Sequence, residues 1–369
     1  MKERDFQKYL NKAVAVDWHP HAPEGDYLGA VVIPVLGEMS TLPELLPQLA
    51  DPRFPVVLVI NEQADSPEDY RRENRELLFW LAEYRQENVF WLDYTENYIS
   101  PPGVGTARKI GLDAALGVVA DFSNAHEKLL FSLDGDTLVD DGYFDAALTA
   151  FGENPDWSGA IFDFVHRPVP EDTVGAIRIY ENYLRHYRDG LARAGSPYAY
   201  IPIGSAMVTR CDAYIKCGGM RSRAGGEDFY FLQALRKTGE IGGITGAKVY
   251  PSGRISARVP FGTGPGLRKI IDAGGRMDFE PEWVFDELRL VLDCVRECSD
   301  FYGLKNLPET MRSRLTEKSW NFFTANNFES SWQKIAANVK VGDELALRRG
   351  FMTWFDAFRT LKFIHFLLQ

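Results

Sequence analysis

The chain has 369 residues, 45% of them hydrophobic and 25% charged, with a net charge of −11 at pH 7. This is the balance of an ordinary soluble globular protein, long enough for two domains or for one large domain with an extension. The acidic excess and the lack of any basic run exclude nucleic acid as an expected partner. Four cysteines (Cys211, Cys217, Cys294, Cys298) lack CxxC spacing, so buried free thiols are expected in place of zinc or a disulfide framework. The start, MKERDFQKYLNKAV, is charged throughout, and no run approaches the roughly 18 apolar residues of a membrane span. A cytoplasmic protein is expected.

Residues 1–26 are polar and form the expected N-terminal segment; His19 and His21 there suit a loop or a metal. From Leu28, short apolar runs alternate with helical patterns. LGAVVIPV (28–35), FPVVLVIN (54–61), NVFWLDY (88–94) and KLLFSLD (128–134) are predicted strands, buried on both faces because they show little polar alternation. Between them, TLPELLPQLA, the long segment opened by Ser66 and Pro67, and GVGTARKIGLDAALGVVA (103–120) are predicted helices. WSGAIFDFV (157–165) and YAYIPIGSAMVTR (198–210) add strand-like segments, separated by a helix near 171–194. This alternation predicts an α/β fold with a mainly parallel sheet flanked by helices, occupying 27–270. Ligands of such sheets bind beyond the carboxyl ends of the strands. Residues 271–369 carry three amphipathic helical stretches and form an expected helical C-terminal extension. Its last segment, rich in Trp, Phe and Leu, suits core packing, a homodimer contact or peripheral membrane contact.

The fourth strand ends in a cluster of carboxylates: Asp134, Gly135, Asp136, then Asp140 and Asp141. Such charges repel one another unless something positive lies among them. Asp134 and Asp136 project the same way from an extended segment, and two hard oxygen ligands suit Mg²⁺ or Mn²⁺ held jointly with substrate phosphates. A plain turn accounts for the same residues, with Gly135 letting the backbone bend. Asp140 and Asp141 suit a helix start. Further on, Glu227 and Asp228 come after two glycines and open a helix, where acidic residues are also favoured by the dipole. As like-charged neighbours, one of them should have a raised pKa.

AVVIPVLGEMSTLPELL, VVLVIN, GVGTARKIGLDAA, LLFSLDGDTLVDDGYF, GSAMVTRCDAYIKCGGM and GGEDFYFLQALRKTGEI occur in an order that resembles GT-A glycosyltransferases, most of all the family 2 type of nucleotide-diphospho-sugar transferase. The resemblance covers roughly 28–250. It implies a Rossmann-like GT-A domain, a nucleotide-diphosphate sugar donor and transfer to an acceptor hydroxyl. By matching position, Pro34, Val35 and Glu38 border the nucleotide, Asn61 and Glu62 contact base or ribose, Asp134 and Gly135 lie at the phosphates, and Arg108 lies near the nucleotide, where its guanidinium can pair with phosphate or with Asp134. Asp136, with Asp134, holds the metal. Asp228 is the base and Glu227 its orienting neighbour. INEQADS replaces the usual paired aspartates after the second strand. No histidine lies between 229 and 364, which favours inversion; His166 faces the site or is a satisfied structural histidine. The segment 251–269, with Arg254, Arg258, Arg268 and Lys269 among glycines, suits a lid, an anion pocket or an exposed loop. The competing readings are a sugar-phosphate nucleotidyltransferase and a catalytically silent nucleotide- or carbohydrate-binding scaffold. Against the first, the loop PVLGEMST carries no cation.

Overall fold

The computed structural model describes residues 2–13, 15–169, 173–223, 225–255 and 262–369. The chain divides into two compact units, one of Met1–Glu181 with Pro202–Arg276, the other of Asn182–Ile201 with Met277–Gln369.

The first unit is an α/β domain. Its strands are β1 (Gly29–Val35), β2 (Val56–Asn61), β3 (Val89–Tyr94), β4 (Leu129–Ser132), β5 (Leu138–Val139), β6 (Trp157–Phe164), β7 (Met207–Arg210) and β8 (Glu240–Tyr250). They form one sheet in the order β3-β2-β1-β4-β7-β6-β8-β5. The four strands β3, β2, β1 and β4 are parallel, β7 runs against β4 and β6, β6 pairs parallel with β8, and β5 closes the far edge antiparallel. This is the expected α/β architecture of a sheet flanked by helices, although the antiparallel pairings of β4 with β7, β7 with β6 and β5 with β8 make the sheet mixed. Every residue of β1, β2 and β4 is buried, as their unbroken apolar runs require. Ahead of the sheet lies α1 (Glu3–Leu10), and crossover helices α2 (Leu42–Gln48), α3 (Glu68–Glu83) and α4 (Val104–Val119) connect the parallel strands. Later in the chain come α5 (Tyr143–Glu153), α6 (Val174–Arg193), whose residues from Asn182 on belong to the second unit, α7 (Cys211–Lys216), α8 (Glu227–Leu235) and α9 (Thr263–Asp272).

Four local departures from the sequence reading have clear causes. Within the polar N-terminal segment, α1 forms and docks through buried Phe6 and a Tyr9 hydroxyl that donates to Asp113 at 2.8 Å. His19 pairs through its backbone with Trp91 on edge strand β3, so it extends the sheet. The expected strand 198–210 shortens to β7, preceded by the single 3₁₀ turn Gly204–Ala206. Strand β8 lacks a sequence signal, because glycines and polar residues break the alternation that marks a half-buried strand.

The second unit is helical. It contains α10 (Glu282–Arg296), α11 (Phe301–Lys305), α12 (Leu307–Arg314), α13 (Glu317–Ala325), α14 (Phe328–Ala337), α15 (Glu344–Trp354) and α16 (Ala357–Leu368). Asp300, Thr316, Asp343 and Asp356 each cap a helix by accepting a backbone N–H, which explains where the amphipathic stretches break. Phe323, Trp332, Phe351, Phe355 and Phe363 fill the core. The apolar side chains Phe363, Ile364 and Leu367 of the last helix are buried in it. Among the described residues, no helix is long and apolar enough to cross a membrane.

One buried side chain joins the ends of the first two strands. Asn74, on the face of α3 shared with Leu77 and Leu81, is fully buried. Its Oδ1 accepts from the Gly37 N–H at 3.0 Å, and its amide donates to the Asn61 carbonyl and to Glu62 Oε2, both at 3.1 Å. Replacing it by Leu leaves these groups unmatched, and the expected cost is about 1–3 kcal/mol. A urea midpoint for Asn74→Leu equal to that of the parent protein would contradict this account.

Candidate active site

Carboxyl groups from three regions of the first unit meet beyond the carboxyl end of β4. Asp134 and Asp136 come after that strand, Glu38 after β1, and Glu227 and Asp228 open α8. Gly135 leaves the space that brings Glu38 to this turn: a Cβ there would lie 3.0 Å from Glu38 Cγ. The backbone bends here as expected, with the Thr137 N–H donating to the Asp134 carbonyl at 3.1 Å, but Gly135 does so without positive φ, so the close approach of Glu38 is what calls for a glycine.

The positive charge required among these carboxylates comes from the chain itself. Arg108, in the second turn of α4, is buried, and its two terminal nitrogens pair with Asp134 and with Glu227. Its guanidinium lies on the backbone of Gly204, where a Cβ would collide with both terminal nitrogens. Any side chain at 204 would displace the arginine. Arg254, beyond β8, forks onto Glu38, with Nη1 donating to Oε2 at 2.9 Å, and its Nη2 lies 3.0 Å from Asp136 Oδ2. Arg167 donates to the Asp136 carbonyl at 2.8 Å. Arg258 lies outside the described residues, while Arg268 and Lys269 belong to α9.

Asp228 has a different electrostatic setting. Burial pushes its pKa up, and the neighbouring Glu227 carboxylate pushes it further. Arg108 and the Phe229 N–H, which donates to Asp228 Oδ1 at 2.7 Å, pull it back. The upward causes win, and Asp228 lies at about 7, against an ordinary value near 3.8. Gly226 has φ +68°, the left-handed entry to α8 that a glycine adopts without steric cost.

Pro34 and Val35 are buried in β1. The Asn61 amide donates to the Val35 and Val59 carbonyls at 2.9 and 3.2 Å, which ties β1 to β2. Glu62 is buried and accepts from Arg71 Nε at 3.1 Å as well as from Asn74. His166 is buried, with Nδ1 3.0 Å from Glu181 and Nε2 3.0 Å from Thr263 Oγ1. Both ring nitrogens are therefore engaged, the satisfied structural alternative. Tyr180, beside His166, feels the Asp228 charge, and burial pushes its pKa up to about 12. Asp140 accepts from Lys248 N and Tyr250 Oη at 2.9 and 2.7 Å, so it fastens β5 to β8.

Sequence reasoning did not single out Asn74, although its i+3 and i+7 spacing to Leu77 and Leu81 marks a polar residue on an apolar helix face. It also did not pair Arg254 with the strand ends.

Among the described residues no group of three or more His, Cys, Asp or Glu side chains converges as a metal site. The cluster still fits a divalent cation of the hard, oxygen-liking kind. Among the described residues it holds five carboxyl groups, and Arg108 and Arg254 pair with four of them. Asp134 and Asp136 supply hard oxygens. Mg²⁺-type ions commonly take one or two carboxylates and complete their shell with phosphate oxygens and water.

No family model matches the chain, and no curated protein matches it. Two of the solved structures that align with it serve as examples. One is S. aureus TarS 1–349 in complex with UDP-GlcNAc, at 13% identity over 83% of this chain and 90% of that one, TM-score 0.45. Another is the mannosyltransferase PcManGT from Pyrobaculum calidifontis in complex with GDP-Man and Mn²⁺, at 12% identity over 95% and 94%, TM-score 0.44.

The geometry carries two expectations. Arg108→Met strands two carboxylates, one of them fully buried, and should cost about 3–5 kcal/mol in chemical denaturation, with Glu227→Gln in the same chain recovering part of the loss. A double variant no better than Arg108→Met would refute the pairing as the cause. Asp228 titrates higher folded than unfolded, so its favourable contribution is complete below about pH 4 and disappears as pH rises through about 7. The melting temperature of Asp228→Asn should therefore gain on the parent between pH 5 and pH 8; a constant difference would argue against the raised value.

Proposed function

We propose that the α/β unit is a glycosyltransferase that moves a sugar from a nucleotide-diphosphate donor to an acceptor hydroxyl, with inversion. The observation that carries this reading is the acidic pair that opens α8 at the strand ends where such sheets bind ligands: Glu227 is bridged through Arg108 to Asp134, and Asp228 stands next to it with its carboxyl pushed above the ordinary range by burial and by Glu227. A carboxyl group raised in this way can be ionised at neutral pH and still hold a proton, which suits general-base work.

In the proposed reaction the acceptor oxygen attacks the anomeric carbon as the bond from that carbon to the diphosphate oxygen breaks. Asp228 takes the hydroxyl proton, and the nucleoside diphosphate leaves. Attack from the face opposite the leaving group inverts the carbon. Arg108 holds Glu227 in place, and Glu227 keeps Asp228 basic enough to accept the proton. Pro34, Val35, Glu38, Asn61, Glu62, Arg108, Asp134 and Gly135 border the donor. Asn61 and Glu62, whose side chains are bound to the protein, contribute by fixing the ends of β1 and β2. Asp136 and Asp134 would hold Mg²⁺ or Mn²⁺, which when bound supplies Lewis-acid neutralisation of the departing diphosphate.

A thermal-shift screen of UDP-, GDP-, ADP- and dTDP-sugars with and without Mn²⁺ tests this reading, since a ligand of the native state raises the midpoint by mass action. At least one donor with Mn²⁺ should raise it. Asp228→Asn should keep that shift while turnover falls by about 10²-fold or more. Absence of any shift across the panel, or full turnover by the variant, would reject the proposal.

A further inference from the structure

We propose that Arg254 is a resident counter-ion for the donor site: it occupies Asp136 until a divalent cation arrives, then stays on Glu38 and turns its freed N–H groups to the donor's diphosphate. This inference rests on the reading of Asp136 as a metal ligand.

The geometry distinguishes the two ends of the Arg254 contact. Toward Glu38 the guanidinium makes a fork, with each terminal nitrogen on its own carboxylate oxygen. Toward Asp136 it makes an ion pair, with Nη2 3.0 Å from Oδ2, through a nitrogen already committed to Glu38. Bidentate charge-assisted pairs are the stronger and more directional kind. The Asp136 contact is therefore the one that yields. Glu38 is buried and wedged against Gly135, so its carboxylate is a fixed anchor. About a third of the Arg254 side chain is exposed, against 5% for Glu38, so the guanidinium has room to shift its outer edge.

Charge gives the exchange its direction. A guanidinium and a hard dication compete for the same carboxylate, and the dication brings twice the charge and a preference for oxygen. Once released from Asp136, Nη2 faces the region where the ion's remaining ligands must lie. A diphosphate oxygen there would restore the lost charge-assisted bond. Glu38 in this scheme is a positioning residue that acts through Arg254.

Mn²⁺ titrated alone into the full chain, without nucleotide, tests the competition by calorimetry or by the paramagnetic signal of free Mn²⁺. Arg254→Ala should bind the ion about tenfold or more tightly than the parent, as expected when one nearby competing charge is removed. Arg254→Lys keeps the charge without the fork and should stay within a few-fold of the parent, which guards against misfolding of the first variant. Asp136→Asn should lose the binding. In saturating Mn²⁺, inorganic pyrophosphate should bind the parent several-fold more tightly than Arg254→Ala. Equal or weaker Mn²⁺ binding by Arg254→Ala overturns the counter-ion role and leaves the metal reading standing. Equal pyrophosphate binding overturns the diphosphate contact. Failure of the parent and of Arg254→Ala alike to bind Mn²⁺ overturns the metal reading, and this inference with it.

Discussion

The first unit depends on one ion-paired guanidinium. Arg108 projects from α4 into the protein interior and meets Asp134 on one side and Glu227 on the other. A guanidinium taken out of water is costly unless its charge and its N–H groups find partners. Two carboxylates meet that need, and in doing so they join three elements far apart in the chain: the helix α4, the turn after β4 and the first residue of α8. Gly204 provides the flat floor on which the guanidinium rests. The position of the acidic pair on α8 is thus set by electrostatics from below as much as by the packing of α8 itself.

Arg254 offers a contrast in kind. Both arginines bridge two acids, but Arg108 is buried and Arg254 is partly exposed. Water screens the second and can replace any bond it gives up, so breaking it costs far less than breaking the first. The same side-chain chemistry therefore serves as a fixed strut at one end of the Asp134–Asp136 turn and as an exchangeable contact at the other. Burial makes the difference. The residue type does not.

What the sequence reveals depends on the range over which each determinant acts. Runs such as VVLVIN declare a buried parallel strand because nearly every residue is apolar, and β1, β2 and β4 appear where those runs lie. The apolar run YAYIPI carries the same local signal, yet Tyr198 is buried in the helical unit, its hydroxyl donating to the Met352 carbonyl at 2.8 Å, and the strand begins only at Met207. A local pattern states that a residue is buried without stating against what. The carboxylates after β4 were legible as a group in need of positive charge. Arg108 was legible as a partner of Asp134, 26 residues away, but its second bond to Glu227 and the bond of Arg254 to Glu38 were not, because those partners lie 119 and 216 residues away. Asn74 was illegible for a related reason: its hydrogen bonds close strand ends that only the folded sheet brings together.

The value reached by Asp228 is a contest among five effects, burial and the Glu227 and Asp134 charges against Arg108 and the Phe229 N–H, and its outcome depends on where each source of charge is committed. An aspartate in the first turn of a helix, with a backbone N–H at 2.7 Å, would by itself be an acid stronger than usual. A nearby arginine should strengthen it further. Arg108, however, is already committed to Glu227 and Asp134, so its field at Asp228 is largely cancelled by the carboxylates it binds. Glu227, immobile in that bridge, remains close to Asp228 as a like charge. Desolvation then acts on a carboxyl group with little net positive potential to offset it, and the proton is held to about pH 7. The bridge that anchors α8 is in this way also what leaves its second residue basic. A site in which Arg108 paired with Asp228 in place of Glu227 would have the same composition, the same net charge and no base.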